Sequence, residues 1–239
     1  MTLRIALPSK GRLMEQCFAW FAGHGIAMAR DGAARTYAAV AEGLEGLDVV
    51  LASAAEVPQA LAEGRVHLGV TGSDLVREGL ADWAEATPEW TRLGFGHADL
   101  VLAVPAGWID VATVDDLDAA AAAFRAVHGH RLRIATKYHR LTRDFLRRAG
   151  VADYVLVDSQ GATEGSVRQQ TAEAVADITS TGETLAANHL RILEDGVIHR
   201  SQATLFAARA ADWTPEARRT LAALAQRLAL PLPDAIAHW

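Results

Sequence analysis

One cysteine in 239 residues, Cys17, leaves this chain no disulfide to close within itself. Set in an apolar helical stretch between Leu13 and Phe21, it reads as core packing in a reducing, cytoplasmic setting. Long hydrophobic runs are missing too: the longest alanine run, Ala119 to Ala123, is far too short to cross a bilayer. Pro8, Lys10 and Arg12 interrupt the apolar start before an export signal can form. There is no basic surplus. With 23 Lys and Arg against 29 Asp and Glu the formal charge is −6, and no basic stretch carries interleaved aromatics, which excludes a general nucleic-acid surface. The nine histidines show no metal-ligand spacing with cysteines and no H-E-x-x-H helix, so they read as structural or solvated, and no direct protein cage for a metal is expected. A G-x-x-x-x-G-K-[ST] loop, a Ser-His-Asp set, internal repeats and low-complexity linkers are also absent.

What is present is an ordinary globular composition, 51% hydrophobic and 22% charged, enough for a large core. Short apolar, β-rich runs fall at Leu3 to Leu7, Leu47 to Leu51, Val66 to Val70, Leu100 to Val104, Leu132 to Ala135, Tyr154 to Val157 and Gln202 to Phe206. Helix-period segments such as Leu13 to Phe21, Asp74 to Leu80 and Leu141 to Ala149 lie between them. This alternation predicts an α/β architecture with parallel sheets covered on both faces. A terminal helix is predicted over Trp213 to Leu230, capped by Thr214 with Pro215 at its first position; its Leu221, Leu224 and Leu228 share one face, for the core or for a second subunit.

The richest stretch runs from Glu173 to Asn188, E-A-V-A-D-I-T-S-T-G-E-T-L-A-A-N. A short apolar strand ends in a hydroxyl-rich turn that opens a helix. Free helix N–H groups, the dipole and the hydroxyls of Thr179, Ser180, Thr181 and Thr184 around Gly182 and Glu183 make a phosphate cradle. Glu173 and Asp177, four apart just before the turn, are placed to accept hydrogen bonds from a ribose diol. Ser and Thr before a helix are also the commonest N-caps, so the motif alone does not decide between cap and ligand site. Pro8-Ser9-Lys10-Gly11-Arg12 follows the first strand, at the carboxyl edge where open α/β sheets gather ligands. Gly11 permits close backbone approach, and Lys10 and Arg12 can reach phosphate oxygens; cations at a helix start oppose the dipole unless an anion arrives. Val70-Thr71-Gly72-Ser73-Asp74 repeats the strand, turn and helix arrangement, with Thr71 or Ser73 as a cap. A second basic group comprises Arg131, Arg133, Lys137, Arg140 and Arg143, and Glu164 stands in the glycine-flanked turn Gly161-Ala162-Thr163-Glu164-Gly165.

Five stretches in order, L-R-I-A-L-P-S-K-G-R-L, H-L-G-V-T-G-S-D-L-V, R-I-A-T-K-Y, G-A-T-E-G and D-I-T-S-T-G-E-T-L, resemble the ATP phosphoribosyltransferase family, in its short form without a C-terminal regulatory domain. The resemblance implies a two-lobed, type II periplasmic-binding-protein-like fold with a ligand cleft between the lobes. Lobe I would be 1–96 with 177–212, lobe II 97–176, and 213–239 a C-terminal helix and tail. It implies transfer of the phosphoribosyl group of 5-phosphoribosyl pyrophosphate to N1 of ATP. On that reading Glu173, Asp177 and Lys10 are catalytic, and Asp177, Thr179, Ser180, Thr181, Gly182, Glu183 and Thr184 hold phosphoribosyl pyrophosphate. Lys10, Gly11, Arg12, Gly72, Asp74, Lys137 and Glu164 serve ATP. Mg2+ would come on the substrate phosphates. The expected partners are a histidyl-tRNA-synthetase-like regulatory subunit and a second copy, as a homodimer within a hetero-oligomer, with no membrane or nucleic acid. Two departures stand out: His139 replaces the family's usual proline, and Ser53-Ala54-Ala55 lacks an arginine common there, for which Arg35 is a candidate substitute. A non-catalytic two-lobed small-molecule binder and a different phosphoribosyltransferase remain as alternatives; neither accounts for all five stretches together.

Overall fold

The computed structural model describes residues 2–30, 38–159 and 162–232. It divides into two compact units, Met1–Gly96 with Gln202–Trp239, and His97–Ser201. The chain enters the first unit through β1 (Leu3–Pro8), α1 (Gly11–Gly23), β2 (Ala27–Arg30), β3 (Ala38–Glu42), β4 (Leu47–Ala52), α2 (Val57–Ala62), β5 (Leu68–Gly72), α3 (Ser73–Gly79), α4 (Trp83–Ala86) and β6 (Glu89–Arg92). The second unit holds β7 (Ala98–Pro105), α5 (Val114–His128), β8 (Leu132–Thr136), α6 (His139–Arg148), β9 (Tyr154–Asp158), a short 3-10 turn (Thr163–Gly165), β10 (Ala174–Thr179), α7 (Glu183–Ala187) and β11 (Leu190–Ser201). The chain returns to the first unit with β12 (Ala203–Ala207) and α8 (Pro215–Leu228).

The first unit is built on a seven-stranded sheet ordered β2-β3-β4-β1-β5-β12-β6. Central β1 is apolar and buried on both faces except at Arg4, which is exposed. Leu3, Ile5 and Leu7 pack with Cys17 and Phe21 of α1 and Leu221, Leu224 and Leu228 of α8. Ala6 on the other face meets Val57 and Leu61 of α2, Val76 of α3 and Phe206 of β12. The terminal helix therefore buries its leucine face in its own core, each leucine contributing about 1.5–3 kcal/mol relative to an exposed one. As its sequence predicts, Thr214 accepts a hydrogen bond from the Ala217 N–H at 3.2 Å and Pro215 opens the first turn.

The second unit carries a five-stranded sheet, β11-β7-β10-β8-β9. Its core joins Leu102 and Val104 of β7 to Leu117 and Ala121 of α5, Ile134 of β8 and Leu146 of α6. Both sheets are mixed rather than parallel throughout. β4-β1-β5 and β10-β8-β9 run parallel, but β12 is antiparallel to β5 and β6, and β7 to β10 and β11. The return between units falls at Ser201/Gln202, not at 176/177. Asp177, Ile178 and Thr179 stay in β10, opposite Val101, Leu100 and Asp99 of β7, so the hydroxyl turn and long β11 belong to the second unit.

Candidate functional site

Chemically active residues gather at the carboxyl edge of each parallel core. In the first unit the ends of β1, β4 and β5 bring Lys10, Ser53 and Gly72 to one sheet edge. Helix α1 starts there with no side-chain cap and no acidic residue in its first turn, and Lys10, Gly11 and Arg12 are exposed. Gly11 sits at φ +71° with open space where a Cβ would be, so the backbone can be approached closely. A cavity of about 850 Å³ runs from Ser9, Lys10 and Ser53 past Ala52 to Arg4 and Arg65. Glu56, on its wall, is held below the usual carboxylate range by the Ser53 hydroxyl and by the Ser53 N–H, which donates to it at 2.9 Å. Gly72 is the N-cap residue of α3, whose first turn holds Asp74, 5% exposed. Thr71 does not cap it. Its hydroxyl donates to the Ala54 carbonyl at 2.7 Å and ties the end of β5 to the loop after β4.

In the second unit, Asp177 near the end of β10 is the centre. The Ile178 N–H donates to its Oδ1 at 2.9 Å and the Thr163 hydroxyl also donates to it. Burial pushes its carboxyl above the usual range and the nearby Glu164 charge adds to that, outweighing those hydrogen bonds and the Lys137 ammonium. Thr163 is buried and shares a 2.9 Å hydrogen bond with the Ser159 hydroxyl. Beyond Asp177 the turn folds on itself. Thr179 Oγ1 accepts from the Gly182 N–H at 2.8 Å, Thr181 Oγ1 lies 3.4 Å from the Glu183 N, and Ser180 Oγ donates to the His97 carbonyl at 3.1 Å. Gly182, at φ +79°, is the N-cap of α7; Ser180, Thr181, Glu183 and Thr184 are exposed.

Asp177, Glu164 and Lys137 thus come together, but Glu173 does not join them. It precedes β10, and four residues along a strand span about 13 Å, too far for both carboxylates to share one diol. Glu173 is instead spent on Arg133. Its carboxylate accepts from the Arg133 N–H at 2.7 Å and from the guanidinium Nη2 at 2.5 Å. Burial pushes its carboxyl up, but the Arg133 hydrogen bonds and charge outweigh burial and hold it below its ordinary range. The basic group breaks up likewise: Arg133 is in this ion pair, Lys137 lies at the carboxyl end of β8, and Arg131 and Arg143 line a cavity at the opposite end. His139 opens α6 with its Nε2 2.6 Å from Asp158. Arg35 and Gly161 lie outside the described residues. Thr163 went unremarked in the sequence although it stands beside Glu164; a hydroxyl in a glycine-flanked turn was the available signal.

The family model for ATP phosphoribosyltransferase matches residues 53–229. The ATP phosphoribosyltransferase of Cereibacter sphaeroides is 65% identical over 236 residues, 99% of this chain and 100% of the relative. That of Afipia carboxidovorans is 49% identical over 94% of this chain and 69% of its own length. The chain belongs to the ATP phosphoribosyltransferase family. Its activity is transfer of the phosphoribosyl group of 5-phosphoribosyl pyrophosphate to N1 of ATP, the first step of histidine biosynthesis. Among solved structures, the ATP phosphoribosyl transferase (HisG:HisZ) complex from Thermotoga maritima matches with TM-score 0.70 at 21% identity, covering 99% of this chain and 100% of that one. A putative L-cystine ABC transporter protein from Listeria monocytogenes matches with TM-score 0.53 at 12% identity, over 95% and 89% of the two chains. These likenesses show the fold, the two-lobed periplasmic-binding-protein-like class.

Proposed function

We propose that Asp177 holds the ribose hydroxyls of phosphoribosyl pyrophosphate and that the turn of Thr179, Ser180, Thr181, Gly182, Glu183 and Thr184 takes its 5-phosphate. The observation that carries this is the half-buried Asp177, hydrogen-bonded by Thr163 and flanked by Glu164 and Lys137, two residues before a hydroxyl turn with a left-handed glycine. A carboxylate so placed accepts from hydroxyls and faces the positive charge that grows on a ribose becoming oxocarbenium-like. Adenine N1 is unprotonated at neutral pH, so no strong general base is required, and catalysis rests on alignment and electrostatics. Glu164 takes the second-acid role that spacing had given to Glu173.

Lys10 and Arg12, with Gly11 allowing close approach, are proposed to hold pyrophosphate or triphosphate, and Gly72, Asp74 and Lys137 to serve ATP. Among the described residues no group of three or more His, Cys, Asp or Glu is gathered to hold a metal. The cationic and hydroxyl-lined turns suit phosphate oxygens, so Mg2+ is proposed to ride on the substrates, where it neutralises phosphate charge. A histidyl-tRNA-synthetase-like regulatory subunit, with a homodimer of this chain inside a hetero-oligomer in the cytoplasm, completes the reading. It is supported by the similar Thermotoga structure, a HisG:HisZ complex; among the described residues no helix is long and apolar enough to cross a membrane.

The test is calorimetric binding of phosphoribosyl pyrophosphate to Thr179→Ala and Thr181→Ala proteins, alone and combined. Weakened binding with unchanged thermal stability supports the phosphate role. Unchanged affinity in the folded double variant removes it.

A further inference from the structure

Positive charge in this acidic chain is concentrated in one short segment. Residues 131–148 carry seven cations, Arg131, Arg133, Lys137, Arg140, Arg143, Arg147 and Arg148, against the single carboxylate Asp144, while the whole chain is at −6. Arg133 has its partner in Glu173 and Lys137 stands at the catalytic edge. Arg131, Arg143 and Arg147 are left at the other end of β8, where they line a cavity of about 500 Å³ with Tyr154 and the loop Gly150 to Ala152. Arg131 and Lys137 flank the five residues of β8, so six residue steps of strand separate the two ends by about 20 Å.

Nothing in the fold requires three guanidinium groups there. Arg143 and Arg147 are four apart on α6, a like-charge pair that costs the helix about 0.2–0.5 kcal/mol. Asp144 meets Arg147 at 3.1 Å with the two side chains 42% and 75% exposed, a pair that water largely screens. Among the described residues neither Arg131 nor Arg143 has an ion-pair partner. Tyr154, in the same cavity, feels both Arg143 and Arg147, and burial keeps its phenol protonated, a hydroxyl donor. Tyr154, Val155 and Leu156 of β9, the last strand in the order of this sheet, line the cavity. Its volume falls in the range of small-molecule sites.

We propose that this cavity is a second anion site, in which Arg131, Arg143, Arg147 and the Tyr154 hydroxyl hold the phosphate group of a small molecule. A carboxylate carries one charge against three guanidinium groups, whereas a phosphate monoester or a polyphosphate carries two or more and presents oxygens in several directions to Arg131 from the strand entry and to Arg143 and Arg147 from the helix. The donors are all permanently charged or hydroxylic, and no group in the cavity is placed to attack a bond, so the site binds and does not react.

Nitrogen-15 labelled full chain titrated with inorganic pyrophosphate resolves this site from the catalytic turn residue by residue. Saturable movement of the Gly150 and Tyr154 to Leu156 amides is expected, weakened at least tenfold in R143Q/R147Q, strengthened in D144N and steeply reduced by salt. Thermal unfolding of the double variant checks its fold, which exposed arginines should leave intact. Movement confined to Thr179 to Thr184, or movement at Tyr154 that the double variant leaves untouched, overturns the proposal. So does a polyglutamate peptide that shifts these amides where pyrophosphate fails, which makes the surface a docking site for an acidic chain. Loss of the Thr179 to Thr184 response alone bears on the catalytic reading and leaves this one standing.

Discussion

Glu173→Ala separates a structural carboxylate from a ribose-binding one. In the native protein the Glu173 carboxylate satisfies the Arg133 backbone N–H at 2.7 Å and its guanidinium at 2.5 Å; the alanine variant strands the N–H and leaves the guanidinium the Gln170 carbonyl at 3.1 Å. Hydrogen bonds to a charged group contribute about 1.5–3 kcal/mol, and a stranded buried N–H costs about 1–3 kcal/mol. The two are not additive, and Arg133, 35% exposed, recovers part of its loss from water. The net expectation is about 2–3 kcal/mol, which at about 2–4 °C per kcal/mol for a chain of this size lowers Tm by roughly 4–12 °C. Glu173→Gln keeps an acceptor for the backbone N–H and should cost less than alanine. The effect has a pH sign. Because the folded carboxyl is held below its ordinary value of 4.5, its stabilisation is fully present above that pH and is lost as pH falls through the lowered folded value. The difference in Tm between wild type and Glu173→Gln should therefore shrink on acidification. Calorimetry from pH 7 down to about pH 3.5 follows the stability, and steady-state kinetics follow the function. The KM for phosphoribosyl pyrophosphate should stay within about twofold of wild type, equivalent to less than about 0.5 kcal/mol. A tenfold rise in KM with unchanged Tm would refute the structural reading and return Glu173 to the ribose.

Asp177→Asn should behave in the opposite way, cutting kcat/KM by roughly 10–100-fold, about 1.4–2.7 kcal/mol of transition-state stabilisation, with Tm unchanged or raised at neutral pH. Burial lifts the folded pKa of Asp177 above 3.8, so its ionisation counts against the fold once pH passes the unfolded value, and asparagine removes that cost; a Tm loss as large as that of Glu173→Ala argues against this. Cys17, whose thiol is pushed up to about 12 by burial, should resist labelling by a thiol reagent in native protein at pH 8, and rapid stoichiometric labelling would contradict its packing against β1. Histidine titrated against the chain alone and against the chain with its regulatory subunit should inhibit only the latter; strong non-competitive inhibition of the isolated chain places the sensing site within it.

The parallel cores were legible because their strands are short, apolar and spaced by helical segments, and β1, β4, β5, β8 and β9 fall where such runs predict them. Of the antiparallel strands, β7 and β12 also fall on predicted runs, whereas β2, β3, β6 and β11 do not. β2, β3 and β6 are short edge-side strands of mixed polarity, and β11 carries Glu194, Asp195 and Gly196 in its middle, with register shifts against β7 that break any simple alternation. Helix α5 was overlooked despite a reciprocal cap, in which Thr113 Oγ1 accepts from the Asp116 N–H at 3.2 Å and the Asp116 carboxylate accepts from the Thr113 N–H at 2.8 Å, and despite the left-handed Gly129 that ends it. Its alanine-rich middle, Ala119 to Ala123, carries no marked helical periodicity. The signals lay at its two ends.

The site shows why residue types travel from sequence to chemistry more safely than spacings do. Four residues are one turn of a helix, with side chains about 6 Å apart, but they are about 13 Å of strand. Glu173 and Asp177 read as a pair only while the element beneath them is undecided. Once Ala174–Thr179 is a strand, the two carboxylates go to opposite ends of β10, and each takes the partner that the neighbouring strand offers there. At the amino end that partner is Arg133, whose backbone also pairs with Glu173. At the carboxyl end the neighbouring strand offers the Lys137 ammonium, whose effect burial outweighs. Burial, Thr163 and Glu164 leave Asp177 as a carboxylate with its charge incompletely compensated, which is the condition a ribose hydroxyl and a developing positive charge are suited to relieve.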